Sequence, residues 1–255
     1  MKLFFRHFGQ GAPVIILHGL FGQSDNWLSI GKRLAEQYSV FIPDMRNHGQ
    51  SGHSSSLSYE AMSDDILEFI EENYIQNPVI IGHSMGGKAA MHFTLEHPHL
   101  VKKLAVIDIS LRKYPERKIH THIVSTMLSL PLDDITSRQQ VEKAIEERIE
   151  DKRIRMFILK NLYYKHHGKL AWRLNLDAIN SSLDMLFDGV DVPGTFDNEV
   201  LFVRGGKSDY IPEEDEGLIK RSFPKAEIKT ISGATHWVHA DAPEELFGIL
   251  AEFLV

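Results

Sequence analysis

The sequence predicts an α/β fold: a mostly parallel central sheet flanked by helices, with a helical cap inserted into it. Three observations lead there. Short apolar runs alternate with amphipathic stretches from Val14 to Asp108. The runs are near-continuous in apolar character, as strands buried on both faces must be. After a helical interval the same rhythm resumes from Glu199 to Leu254. With 255 residues, 43% of them hydrophobic, the chain is long enough to bury one large core.

In order, VIILHG (14–19) predicts the first core strand and DNWLSIGKRLAEQY (25–38) the first helix. VFIPD (40–44) is the next strand, followed by a helix over about Tyr59–Glu72. PVIIGHS (78–84) reads as a strand, a helix starts at about Met85, and KLAVIDIS (103–110) is a further strand. Turn signals close three of these strands, HG, PD and GHS, and function in such sheets gathers at carboxyl ends. The carboxylate pairs Asp64–Asp65 and Glu71–Glu72 read as a solvated helix face.

The rhythm breaks after Ser110. IHTHIVSTMLSL (119–130), SRQQVEKAIEERIE (137–150) and RIRMFILKNLYY (153–164) have helical periodicity, with WRLN (172–175) the single short strand signal. Then EVLFVRGG (199–206) and AEIKTISG (226–233) return as strands, with helices EEDEGLIKRSF (213–223) and PEELFGILAEFL (243–254). The expected organisation is therefore a core of residues 1–110 and 191–255 with a helical cap, 111–190, inserted between its halves. Met127, Leu128, Phe157, Leu162 and Trp172 are the cap's candidate core and pocket residues.

The net charge of −7, from 35 acidic and 28 basic residues without a long run of either sign, argues against nucleic acid as partner. Cysteine is absent, which excludes disulfides, thiol catalysis and thiolate metal sites. The opening MKLFFRHFGQGAP is too short and too polar for a signal sequence, and no run has the length of a membrane span. A cytoplasmic protein without a membrane span is expected, and its oligomeric state is not legible.

Gly82-His83-Ser84-Met85-Gly86 fits G-x-S-x-G, with an apolar strand before it and a helix after it. A sharp strand-to-helix turn needs nearly bare positions two residues either side of the serine, and Gly82 and Gly86 provide them. Such a turn lifts Ser84 above the sheet and aims the new helix's N-terminus at it. A serine needs a base, and the base an orienting acid, in the chain order Ser, acid, His. Of 14 histidines, His236 stands in the required loop, between the last strand and the last helix, with His239 as its packing neighbour. Two carboxylates can reach it: Asp108, at the end of KLAVIDIS, and Asp209, after EVLFVRGGKS. In the register G-x-x-D-x-x-x-P the acid position falls on Ser208, leaving Asp209 one residue out, so Asp108 is favoured and Asp209 is the alternative. Backbone donors for an oxyanion would be Met85 N–H and one from HGLFG: Leu20, with Phe21 as the alternative. His18, Asp44 and Arg46 read as scaffold that ties loops together.

HGLFG, DMRNHGQS, GHSMGGK, AVIDIS and GATHWVHA, in this order and spacing, resemble the α/β-hydrolase superfamily. Within it they look like small bacterial YbfF-type esterases and their mitochondrial abhydrolase relatives, with Lys88 of GHSMGGK and Asn47 and His48 of RNHG the more specific marks. The resemblance implies the α/β-hydrolase fold and a serine esterase acting on short to medium acyl esters, with acyl-CoA thioesters as a further class. It implies Ser84, Asp108 and His236 in the triad positions and no cofactor or metal. The partner is then a small-molecule ester. Two other readings stay open: a carbon–carbon bond hydrolase of ring-fission products, and a non-catalytic ligand-binding scaffold. Arg112, Lys113 and Arg117 form a basic cluster that could draw an anionic substrate.

Overall fold

The computed structural model describes every residue except 116, 117, 166 and 167, so Arg117 of the basic cluster lies outside the described residues. Strands β1 (Phe5–Phe8), β2 (Ala12–Leu17) and β3 (Tyr38–Pro43) open the chain, with helix α1 (Leu28–Leu34) between the second and third. Helix α2 (Tyr59–Glu72), strand β4 (Val79–His83), helix α3 (Met85–Glu96) and strand β5 (Lys103–Ile107) follow. The inserted segment holds α4 (Lys118–Leu128), α5 (Arg138–Glu146), α6 (Lys152–Leu159), the strands β6 (Leu162–Tyr164) and β7 (Leu170–Trp172), and α7 (Leu176–Phe187). Strand β8 (Val200–Gly205), α8 (Glu216–Ser222), β9 (Ala226–Ile231), α9 (Val238–Asp241) and α10 (Pro243–Leu254) complete it.

The main sheet has seven strands in the order β1-β3-β2-β4-β5-β8-β9. All neighbours pair parallel except β1, which runs antiparallel to β3 at the edge. The pleat sorts the apolar strands into two layers. Val14, Ile16, Ile81, Ala105, Ile107 and Val203 pack with Ile30 and Leu34 of α1 and Leu246 and Leu250 of α10. Ile15, Leu17, Ile80, Leu104, Val106 and Phe202 pack against the other face, with Met62 and Ile66 of α2 and Phe93 of α3. Both faces are thus covered, which is why these strands show no polar alternation. Because β2, β4, β5, β8 and β9 are parallel, their carboxyl ends gather the loops bearing His18, Ser84, Asp108, Ser208 and His236 along one edge.

The structure departs from the sequence reading in four places. β1 is not anticipated, because Arg6 and His7 interrupt its apolar pattern and an edge strand is only half buried. RIRMFILKNLYY is not one helix: α6 stops at Leu159 and LYY becomes β6, paired with β7 in an antiparallel hairpin of the insertion. Helix α7 is a further unanticipated element, capped by the Asn175 side chain, which accepts from Ala178 N–H. Asp65 is not on a solvated face but fully buried, its two oxygens accepting from Arg46 Nε and Nη2 at 2.6 and 2.8 Å. Helical periodicity could not separate Asp65 from its neighbour Asp64, since the partner comes from a distant loop.

The crossings into and out of the insertion lie side by side. Val190 N–H donates to Leu111 O and Tyr114 N–H to Phe187 O, both at 2.8 Å. Lys88, 1% exposed, reaches from α3 to both: its Nζ donates to Arg112 O at 3.0 Å and to Asp188 O. Burial lowers its pKa from 10.5 to about 7. No helix among the described residues is long and apolar enough to cross a membrane.

Candidate active site

Ser84 joins β4 to α3 with φ 52° and ψ −119°, a conformation that non-glycine residues rarely hold. The flanking glycines make the turn possible. A Cβ on Gly82 would stand 2.4 Å from Gly86 O, and one on Gly86 would stand 2.5 Å from Leu17 O. Ser84 N–H donates to Ile107 O at 3.1 Å, which fastens the turn to the end of β5.

The Ser84 hydroxyl lies 2.9 Å from His236 Nε2, and His236 Nδ1 lies 2.8 Å from Asp108 Oδ2. A carboxylate only accepts, so Nδ1 carries the proton and Nε2 faces the hydroxyl as acceptor. Asp108 is fully buried, with φ 51°. Its Oδ1 accepts from Gly205 N–H at 2.8 Å, and its Oδ2 accepts from Ser208 Oγ as well as from His236. The structure therefore brings together Ser84, His236 and Asp108. The Asp209 carbonyl accepts from Arg112 Nη2 at 3.3 Å. Tyr210 stacks on the His236 ring, with centroids 3.8 Å apart and planes inclined by 17°. A hydroxyl, an imidazole nitrogen turned toward it and a buried carboxylate behind can move a proton off the oxygen as it attacks carbon.

Neutral histidines hold the loop after β2. His18 Nδ1 donates to Gly19 O and its Nε2 accepts from Met45 N–H, both at 2.9 Å. His48 Nδ1 donates to Arg46 O at 2.8 Å, and its Nε2 accepts from Phe21 N–H at 3.2 Å. Burial depresses both, His48 to about 3. The Phe21 N–H is thus committed to His48, while its carbonyl accepts from Asn161 Nδ2 at 2.8 Å, a tie to the insertion. Among the described residues the Leu20 N–H makes no hydrogen bond. Met85 N–H opens α3 and has no partner within the helix. Asp44 ties three segments, accepting from Ser24 N–H at 2.6 Å and Gln50 N–H at 2.8 Å.

A cavity of about 240 Å³ opens over Ser84 and His236, walled by Phe21, Ile119, Ile123, Ile154, Phe157 and Trp237. The insertion supplies Ile119, Ile123, Ile154 and Phe157. His239 also lines it, stacked on Trp27 at 4.9 Å. His83 lies beneath, donating from Nε2 to His236 O at 2.9 Å, and burial followed by the neighbouring His236 and His239 keeps it neutral. Of the other residues of this segment singled out from sequence, Met127 and Leu162 are buried, Leu128 is exposed and Trp172 is half-buried. The two described members of the basic cluster are engaged elsewhere: Lys113 Nζ pairs with Asp188 Oδ1 at 2.6 Å, and Arg112 Nε faces Asp215 Oδ2 at 3.5 Å.

Sequence reasoning missed Ser208 as a partner of Asp108, although its register marked that position, and it missed Tyr210, His83 and Asn161. No sequence signal carries a ring stack across 26 residues.

Residues 12–153 match the family model described as alpha/beta hydrolase fold. The chain is 36% identical over 252 residues to the sn-1-specific diacylglycerol lipase ABHD11 of Danio rerio, covering 96% of this chain and 79% of that protein. It is 30% identical over 243 residues to the esterase YbfF of Escherichia coli (strain K12), covering 95% and 93%. A solved structure, a marine microorganism esterase, superposes with a TM-score of 0.96 at 41% identity over 99% of each chain. On a family match spanning more than half its length and esterase relatives spanning nearly all of it, this chain belongs to the α/β-hydrolase family, as a carboxylic ester hydrolase.

Proposed function

We propose that Ser84, His236 and Asp108 form a catalytic triad that cleaves small-molecule carboxylic esters through an acyl-enzyme on Ser84. The observation that carries this reading is the unbroken hydrogen-bonded chain from Ser84 Oγ through both nitrogens of His236 to Asp108 Oδ2. Ser84 attacks the ester carbonyl while His236 Nε2 takes its proton, and Asp108 holds the tautomer and balances the imidazolium charge. The carbonyl oxygen, now an oxyanion, accepts from Met85 and Leu20 N–H groups. Leu20 is favoured over Phe21 because the Phe21 N–H is already taken by His48. The alcohol leaves with the proton from His236, and water then repeats the sequence on the acyl-enzyme. Acyl-CoA thioesters would follow the same steps with a thiol leaving.

In the same reading residues 111–190 are a cap over a core of 1–110 and 191–255, and the cap's apolar side chains make the site's roof. Both Lys88 contacts fall at this boundary, which supports the division.

The test is hydrolysis of p-nitrophenyl acetate and butyrate by the native chain and by Ser84→Ala, Asp108→Asn and Asp209→Asn, each checked by circular dichroism. Ser84→Ala and Asp108→Asn are expected to be inactive or nearly so, with Asp209→Asn retaining most of its rate. A dead Asp209→Asn beside an active Asp108→Asn would move the acid to the later loop.

A further inference from the structure

Two cavities meet at Ser84, and they differ in size and in what borders them. The larger, about 240 Å³, has His236 in its wall; the smaller, about 30 Å³, has Met85. Leu20, Ser84, His120 and Tyr210 border both. On the triad reading above, this asymmetry assigns the two halves of an ester. His236 must hand its proton to the departing alcohol, so the alcohol has to lie on the His236 side. The carbonyl oxygen faces the Leu20 and Met85 N–H groups. The remaining substituent of the carbonyl carbon, the acyl chain, is left to the smaller chamber.

That chamber is tight and its walls are anchored. One water needs about 10–15 Å³ by the same measure of volume, so about 30 Å³ holds a methyl group and little more. Tyr59 OH donates to Leu186 O at 2.7 Å, and Tyr114 OH to Tyr210 O at 2.6 Å. Lys88, the lysine of GHSMGGK, spends its ammonium on Arg112 O and Asp188 O. Their polar ends are thus taken up by backbone carbonyls, and their rings and aliphatic stem line the cavity with Ile109, His120 and Phe187. A wall side chain hydrogen-bonded at its far end cannot swing aside for a longer chain without leaving a buried polar group unpaired.

We propose that the enzyme is selective for short-acyl esters of bulky apolar alcohols. The acetyl-sized acyl group enters the chamber walled by Tyr59, Lys88, Ile109, Tyr114 and Phe187, and the alcohol fills the larger chamber beside Phe157 and Trp237.

Two substrate series separate the halves. With p-nitrophenol as constant leaving group, kcat/KM is expected to fall at least about tenfold from acetate to octanoate, the order of discrimination a closed apolar pocket gives. With acetate as constant acyl group, it is expected to rise at least about tenfold from ethyl to naphthylmethyl ester. Phe187→Ala and, independently, Ile109→Ala should move the preferred acyl chain to butyrate or longer. Phe157→Ala should alter the alcohol series and leave the acyl series as it was. Octanoate cleaved as well as acetate by a native enzyme that Ser84→Ala inactivates would overturn the assignment of chambers alone. Absence of turnover on every ester would overturn the triad reading with it.

Discussion

Ser208 donates its hydroxyl to Asp108 Oδ2, the same oxygen that His236 Nδ1 meets at 2.8 Å. Position 208 thus faces the point where the acid is needed, from a different strand. Asp108→Asn should lower kcat by about 10³–10⁴-fold, because an amide in place of the carboxylate favours the wrong tautomer. Adding Ser208→Asp to that variant returns a carboxylate to the same point and should raise kcat at least about tenfold over Asp108→Asn alone. A double variant no faster than Asp108→Asn, with a native circular dichroism spectrum, would show that the two positions are not interchangeable.

Acid stability follows from the buried neutral histidines. His48 titrates at about 3 in the folded chain against 6.5 in the unfolded one, because burial penalises its charge. Between those values the unfolded state binds more protons, so stability rises with pH across the window and is lost as pH falls through it. His18 and His83 are lowered in the same direction. In His48→Gln the amide oxygen can still accept from Phe21 N–H, but the titration is gone. Urea unfolding from pH 4 to 6.5 should show a slope shallower by about 1.4 kcal/mol per pH unit than in the native chain. Equal slopes would mean that His48 is protonated when folded.

Lys88 acts with the same sign in a higher window. Below its folded pKa of about 7 both states carry the proton, and the full cost of a buried ammonium is present. From about 7 to 10.5 the unfolded chain holds more protons than the folded one, so the folded state gains with rising pH. Relative to Lys88→Met, the native chain should therefore gain stability from pH 7 to 10, by up to about 1.4 kcal/mol per pH unit. Parallel stability curves for the two proteins would contradict this.

The turn at Ser84 tolerates no added carbon at its flanks. Gly82→Ala puts a Cβ 2.4 Å from Gly86 O, and the obstruction is backbone rather than the end of a side chain. The variant should lose nearly all esterase activity and melt at lower temperature, whereas Gly217→Ala, whose Cβ meets nothing within 4 Å, should match the native chain. A fully active Gly82→Ala would mean that the turn relaxes.

Most of the fold was legible because β2, β4, β5 and β8 each carry an unbroken apolar run of at least three residues and turn signals close β2, β3 and β4. β1 was not, since Arg6 and His7 break its pattern and its stability comes from pairing with β3. Within the insertion, LYY carries the same apolar spacing as the end of a helix, and its pairing with β7 is a tertiary fact that periodicity does not contain. Chain order and loop placement brought Ser84 and His236 to one edge across 152 residues. Which carboxylate faces Nδ1 depends on the backbone at Asp108, where φ is 51°, and on a loop whose length differs by one residue from the usual register. Sequence left Asp209 open for that reason. The chambers at Ser84 were out of reach, because α7 contributes Leu186 and Phe187 and was not itself anticipated.

Trapping the acyl-enzyme tests the central claim most directly. The native chain, mixed with a fluorophosphonate or quenched in acid during turnover of p-nitrophenyl acetate, should carry one adduct per chain on the peptide containing Ser84. Ser84→Ala should carry none and hydrolyse nothing, and His236→Ala should label far more slowly. An adduct on any other residue, or continued ester hydrolysis by folded Ser84→Ala, would contradict the account.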